Sequence, residues 1–228
     1  MSTLLQPVIH ILNMLLSALQ GFTHDWGIAV ILLTLLIRAS LFLLNLRMAK
    51  QQVRQARIQP QLAQLRKKYA SDTSKLSEEM MKLYNRYGIK PLSTIVVSLI
   101  QAPIFLSLYQ LFISHGSTMT SEIIPWVASL GQLDPMHIVP ISGAVITFIS
   151  MLIPLTSEMA IAGSLLQRAG LPLLMVGIFG AVMWWSPVAV CLYSATSSLF
   201  ALMERGFYRT SFGKRLILEG MPEMAGPK

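Results

Sequence analysis

The feature that most restricts this chain is a set of uncharged or nearly uncharged apolar runs near Gly27–Leu46, Leu92–Ser114, Ile138–Leu155, Ala169–Trp185 and Pro187–Met203. Crossing a hydrocarbon core of roughly 30 Å takes about 20 helical residues, and these runs approach or exceed that length. Only helices and closed barrels satisfy their backbone groups in lipid. The residue-by-residue alternation of a barrel strand is absent here, so the runs predict an all-α membrane protein with five transmembrane helices. Composition agrees: 54% hydrophobic and 12% charged residues in 228 leave too little polar surface to cover a water-soluble fold.

The basic residues set the expected orientation. Residues 1–26 and 115–137 contain no Lys or Arg, whereas eleven fall between Arg47 and Lys90 and others at Arg168, Arg205, Arg209, Lys214 and Arg215. Lys and Arg accumulate in cytoplasmic loops, which predicts an N-terminus outside and a C-terminus in the cytoplasm. The expected order is an outer amphipathic helix (1–26), span one (27–46), a basic cytoplasmic hairpin (47–91), span two (92–114), an outer loop (115–137), span three (138–155), a cytoplasmic loop (156–168), spans four (169–185) and five (187–203), and a short tail (204–228). In the first segment Gln6, His10, Asn13, Ser17 and Gln20 recur at helical spacing between apolar residues, the pattern of a helix lying in an interface. It lacks the positive start and small-residue cleavage site of a signal peptide.

The 47–91 segment holds eleven basic residues against Asp72, Glu78 and Glu79, a local charge of +8 that equals that of the whole chain. Ile58, Leu62, Leu65 and Tyr69 precede a break at "SDTS", and Leu76, Met80, Leu83 and Tyr87 follow at heptad-like spacing. This predicts an antiparallel helical hairpin, with Ser74 as N-cap of the second helix and Gly88 and Pro91 at its end. Its charges, Arg54, Arg57, Arg66, Lys67 and Lys68 among them, would attract acidic client segments, anionic headgroups or ribosomal RNA. The plainer reading is a solvated loop that only fixes topology. No aromatic platform accompanies the charge, so DNA is not an expected partner.

Arg38 is the anomaly. It lies roughly 18 Å along the helix from Trp26 and roughly 13 Å from Arg47, beyond the reach that snorkelling gives an arginine. At the centre of a span it costs about 2.5–3.5 kcal/mol. Asp25, Glu122 and Asp134 belong to outer segments and the remaining acids to cytoplasmic ones, so water is the expected partner. Other spans carry polar residues that could line a wet groove: Thr34, Arg38 and Asn45 on span one, Thr94, Ser98 and Gln101 on span two, and Tyr193, Ser194, Thr196, Ser197 and Ser198 on span five. Singly, such hydroxyls usually serve helix packing.

The stretches "LTLLIRASLFLLN", "MAKQQVRQARIQPQLAQLRKKYASDTSKLSEEMMKLYNRYGIKPL" and "LIQAPIFLSLYQLF", followed by "DPMHIVPI" and "SPVAVCLYS", resemble the YidC/Oxa/Alb family of membrane protein insertases, in that family's order. The resemblance implies a five-span core, a cytoplasmic hairpin after span one, and a water-filled groove, open to cytoplasm and lipid, whose central arginine matches Arg38. Members commonly carry glutamine in the third span where this chain has Ser150 and Met151, and "LYW" where it has Ser194; Leu43 and Val97 replace prolines. The implied function is a membrane insertase and chaperone in a bacterial inner membrane. It would act on newly made membrane proteins in contact with lipids, with the ribosome or a Sec translocon as candidate partners.

That reading requires no cofactor, no metal and no catalytic residue. Cys191 has no histidine at its depth, and no Ser pairs with a His or Lys inside the bilayer, so enzyme chemistry is not expected. A small transporter or channel, and an assembly chaperone without insertion activity, are the alternatives. The first would have to manage without an evident inverted repeat.

Overall fold

A computed structural model describes residues 2–90, 93–155 and 165–219. Among these the chain is helical, with no strand: α1 (Ser2–Thr23), α2 (Trp26–Ser40), α3 (Phe42–Lys68), α4 (Thr73–Arg86), α5 (Ser93–His115), α6 (Ile138–Leu152), α7 (Leu165–Trp184), α8 (Val188–Arg209) and α9 (Ser211–Leu218). The chain divides into two compact units. One holds α1, α2, α5 from Leu99, the segment up to α6, α6, α7 and α8 up to Arg205; the other holds α3, α4 and the chain from Gly206 through α9.

In the first unit the apolar stripe of α1 packs on α2. Leu12 and Leu16 are buried with Ala29, Val30, Leu33 and Ile37, and Leu108, Leu111 and Phe112 of α5 join the same core. The polar residues Gln6, His10 and Ser17 of α1 are exposed, so both faces of the expected amphipathic pattern are used. Among the described residues α1 is also the one helix that by itself, over Leu5–Thr23, is long and apolar enough to cross a membrane. Its few polar groups, spread over five turns, do not lower that average enough for the surface pattern alone to decide its placement.

Span one was expected as one helix over 27–46, but the structure interrupts it at Leu41. The Ser40 hydroxyl donates to the Ile37 carbonyl at 2.8 Å, the same oxygen that accepts the Leu41 N–H at 3.1 Å. A serine that bonds back to its own helix competes with the ladder and bends it. Arg38 therefore occupies the last turn of α2.

The segment before α6, expected as an outer loop, is folded rather than loose. Met119, Ile124, Val127 and Leu130 are buried in the core of this unit. Gly116 and Gly131 meet backbone to backbone, Gly131 N–H donating to Gly116 O at 2.9 Å; a Cβ on Gly116 would stand 2.6 Å from Gly131 Cα. The carbonyls of Gln132 and Leu130 accept the N–H groups of Val188 and Ala189 at 2.8 and 2.9 Å, satisfying donors that the start of α8 would otherwise leave unpaired.

In the second unit α3 and α4 form the hairpin around Ile58, Leu62, Tyr87 and Ile89. The N-cap of α4 is Asp72, whose carboxylate accepts Lys75 N–H at 3.0 Å, and not the expected Ser74. Aspartate caps as well as serine and adds a negative charge at the positive end of the helix dipole. Gly88 follows at φ +61°, a left-handed conformation suited to glycine; Pro91 lies outside the described residues. A second cluster joins Leu46, Ala49 and Val53 of α3 to Leu155, Tyr208 and Ile217. The expected cytoplasmic loop, 156–168, falls outside the description up to residue 164, and its last four residues begin α7.

Candidate functional site

Arg38 is half-buried, and its Nε donates to Ser197 Oγ of α8 at 2.8 Å. Ser197 is itself buried. No carboxylate among the described residues stands within ion-pair distance of Arg38. One turn along α8, the buried Tyr193 accepts at its hydroxyl from Gln101 Nε2 of α5 at 2.8 Å, and the phenol also interacts with Ser197 and with the charge of Arg38. Arg38, Gln101, Tyr193 and Ser197 thus form one polar constellation drawn from three helices. Phe105 of α5 flanks it, its ring centroid 6.3 Å from that of Tyr193.

The guanidinium has more support than sequence reasoning allowed. A hydrogen bond from a charged donor contributes about 1.5–3 kcal/mol, and a cation in the last turn of a helix gains about 0.3–1 kcal/mol from the dipole. Their sum is comparable to the cost of about 2.5–3.5 kcal/mol for an arginine at mid-span. Water is therefore not the sole partner, as the sequence had suggested. The last turn of α2, where the dipole favours a cation, ends two residues beyond the half-buried charge, at Ser40.

Three other hydroxyls expected at the groove have different partners. Thr34 is buried and donates to Val30 O of its own helix at 2.7 Å. Ser194 is buried and directed to Met183 Sδ of α7 at 3.4 Å. Ser198 pairs with Thr147 of α6 at 2.7 Å, joining two helices. Ser150 is buried in α6. Asn45 lies in the other compact unit, beyond the break at Leu41. The side chains of Thr94 and Ser98 lie outside the described ones. Sequence reasoning also missed Ser107, wholly buried on α5 with its hydroxyl unpartnered; a lone serine among apolar residues gives no sign of whether its hydroxyl will be satisfied.

Two aspartates hold the starts of α2 and α6 and the segment between α5 and α6. Asp25 caps α2 through Ile28 N–H at 2.8 Å and also accepts Ser121 Oγ at 2.8 Å and Glu122 N–H at 2.6 Å. Burial alone would push its carboxyl up, but these bonds outweigh it and hold the group below its ordinary value. Asp134, also buried, accepts Trp126 Nε1 and Met136 N–H at 3.0 Å and Val139 N–H, at the start of α6, at 2.8 Å.

On the hairpin the five expected recruitment residues divide. Arg54 Nη1 donates to Gly88 O at 3.1 Å, and Gln51 reaches the same carbonyl and Lys90 N–H, so Arg54 closes the hairpin base. Arg57 is half-buried and partnered. Arg66, Lys67 and Lys68 are exposed in the last turn of α3. Lys68 borders a cleft of about 410 Å³ between α3 and α4, with Glu79, Lys82 and Arg86 on its rim. Lys82 is held by Glu78 and Glu79, each at 2.8 Å, and these bonds raise its pKa.

Comparison with known proteins now decides the family, because the model of the 60Kd inner membrane protein family matches residues 18–215. The chain belongs to that family. Membership of this YidC/Oxa group agrees with the apolar composition and the helical fold. "Membrane protein insertase YidC" of Aeromonas salmonicida is 30% identical over 195 residues, which cover 85% of this chain and 34% of that protein. The chain thus spans about a third of the length of that relative. The Clostridium perfringens protein of the same description is of similar size: 29% identity over 219 residues covers 91% of this chain and 92% of that one. A crystal structure of an active YidC insertase with its first transmembrane domain resolved superposes with a TM-score of 0.66 at 24% identity, covering 87% of this chain and 45% of that one. That likeness establishes the fold.

Proposed function

We propose that this protein is a membrane protein insertase of the bacterial inner membrane, with its N-terminus outside and its C-terminus in the cytoplasm. The single observation that carries the reading is Arg38: a half-buried cation on an apolar helix, fixed at one nitrogen by Ser197, with no acid in reach among the described residues. Fixing Nε leaves the two terminal nitrogens of the fork to meet a visitor. A structural ion pair would instead have a carboxylate in place.

In this reading the exposed charges Arg66, Lys67 and Lys68 gather a newly made membrane protein by long-range attraction. Its hydrophilic segment then enters a groove bordered by Arg38 and Gln101, where carbonyl or carboxylate oxygens replace water on the guanidinium. Such an interaction is stronger in a low-dielectric cavity than in water. Tyr193 and Ser197 form the floor and orient Arg38. The client's apolar helix leaves into lipid, driven by its burial there. No bond is made or broken, and the protein hosts a segment that would otherwise cross hydrocarbon unaided. Ribosome or Sec translocon contacts would supply clients to this route.

The test is insertion of single-span clients in cells depleted of other insertases. Arg38→Ala should lower insertion by about tenfold or more, the effect of losing roughly 1.4 kcal/mol of stabilisation, and Arg38→Lys should restore part of it. Clients rich in acidic residues in the translocated segment should suffer most. Unchanged insertion of such clients by Arg38→Ala, at equal protein level, removes the assigned role.

A further inference from the structure

The proposed insertase activity makes no use of a cluster at the base of the second unit. Phe207, in the last turns of α8, meets Phe42 of α3, Tyr208 and Phe212 of α9 with ring centroids 6.2, 5.8 and 6.1 Å apart. Tyr208 is buried in the cluster with Ile217, Leu46 and Val53, whereas Phe212 is 68% and Leu43 69% exposed. The same stretches of chain carry Arg47, Arg209, Lys214 and Arg215, all exposed.

The fold holds this surface in place. Thr210 caps α9 through Gly213 N–H at 3.1 Å. Gly213 lies so close to the Phe207 carbonyl that any Cβ would collide with it, and α9 must turn back immediately after α8. Ile217 is wholly buried, and Lys50 Nζ donates to Glu219 O at the far end of the helix, at 3.3 Å. A short, fixed helix whose apolar underside is spent on protein therefore keeps a large exposed phenylalanine beside three cations. Beyond its edge contact with Phe207, most of the Phe212 ring packs on nothing among the described residues and costs exposed apolar area in water.

We propose that α9, with Leu43 and Arg47 of α3, is an interfacial anchor for an anionic lipid surface: Phe212 and Leu43 enter the acyl boundary while Arg209, Lys214, Arg215 and Arg47 meet headgroup phosphates. Exposed apolar side chains with Lys and Arg close by suit an in-plane helix whose cations snorkel to the headgroups, and the four cations complement an anionic leaflet. The anchor follows α8 after one residue, so a membrane is the surface it meets first. Its role would be to hold the base of α3 at a defined depth.

The experiment uses the full chain in a Cys191→Ser background, with a nitroxide attached through Phe212→Cys or, separately, Leu43→Cys. In vesicles of phosphatidylglycerol and phosphatidylcholine both labels should collide preferentially with lipid-soluble oxygen and be shielded from a water-soluble nickel chelate. The shielding at 212 should weaken in pure phosphatidylcholine and in the combined Arg209→Gln, Lys214→Gln and Arg215→Gln variant, each removed cation lowering the preference for anionic lipid about fivefold. Nickel access equal to that of a label at exposed Ser77 in both lipids overturns the anchor. Shielding only after ribosomes are added, or shielding accompanied by spin–spin broadening between labels, overturns it in favour of a ribosomal surface or a second copy of the chain. Loss of shielding with excess inorganic phosphate marks a free-anion site instead.

Discussion

The segment between α5 and α6 and the hairpin formed by α3 and α4 both connect apolar helices, yet they use charge in opposite ways. At the first, Asp134 of that segment and Asp25, the cap of α2 that bonds to Ser121 and Glu122 within it, are buried, and each carboxylate collects N–H or O–H donors at helix starts and on the loop. In the second, Lys75 and Lys82 pair with neighbours one helical turn away, every partner at least a third exposed, and Arg66, Lys67 and Lys68 face solvent. Charge turned inward replaces water on backbone donors and fixes shape. Charge turned outward is screened, adds little stability, and remains available to a partner. The contrast follows from the sequence: without Lys or Arg in 115–137, the outer acids bond to backbone, whereas the hairpin has an excess of cations that no internal acid can absorb.

The sharpest way to break this comparison is Asp134→Ala. It leaves Val139 N–H without an acceptor in a buried place and Trp126 Nε1 and Met136 N–H without one where they are partly buried. At about 1–3 kcal/mol for each unsatisfied group, the loss should be about 3–5 kcal/mol, read by equilibrium unfolding in detergent micelles; Asp134→Asn, which retains one acceptor oxygen, should recover part of it. A change below about 1 kcal/mol would mean that the outer segment holds its shape without this residue. Smaller and more diagnostic is Ser197→Ala, which frees Arg38 Nε and removes a bond of about 1.5–3 kcal/mol. It should lower insertion of acidic clients less than Arg38→Ala does, because the charge stays while its aim is lost. If the two variants were equally defective, Ser197 would be a direct contact for the client and not an orienting one.

Asp25 gives a pH test of the inward use of charge. Its carboxyl is held below its ordinary value in the fold, so ionisation favours the folded state. That stability is complete above the unfolded pKa of about 4 and is lost as pH falls through the lower folded value. Asp25→Asn should therefore flatten the acid limb of the stability curve below about pH 4 while leaving its neutral region lower by a constant amount. An unaltered acid limb would show that the bonds from Ile28, Ser121 and Glu122 do not depend on the charge.

How much of this was legible beforehand depended on whether a feature is periodic. Helix positions, the hairpin and the asymmetry of Lys and Arg all repeat along the chain, and α5, α6 and α8 begin within one residue of where hydrophobicity begins. Arg38 was legible as a site because a charge in an apolar run has no bland explanation. What decides its neighbours is not periodic. Among the hydroxyls of α8, Ser197 turns to Arg38, Ser194 to Met183 and Ser198 to Thr147, and nothing in "YSATSS" distinguishes them. The break at Leu41, beside a serine that bonds back to its own helix, has no signature in the hydrophobic pattern. The packed outer segment was missed because Met119, Ile124, Val127 and Leu130 show neither a period of 2 nor one of 3.6; backbone bonds between Gly116 and Gly131 and at the start of α8 hold it.

The mildest substitution separates the two uses of charge most cleanly. Lys82 has two carboxylate partners, Glu78 and Glu79, each at 2.8 Å. It is also largely exposed. Solvent screening and side-chain entropy cancel most of such pairs, so Lys82→Ala should leave the thermal midpoint of the purified protein unchanged within error. The combined Arg66→Gln, Lys67→Gln and Lys68→Gln variant should do the same to stability. It should, however, slow capture of an acidic client in low salt, and the difference from the parent should vanish as added salt shortens the Debye length toward about 3 Å. Lys82, neutralised by its two neighbours, should not slow capture at all. If Lys82→Ala slowed capture as much as the triple variant, the relevant quantity would be total hairpin charge, and the unpaired cations at the end of α3 would have no special part in recruitment.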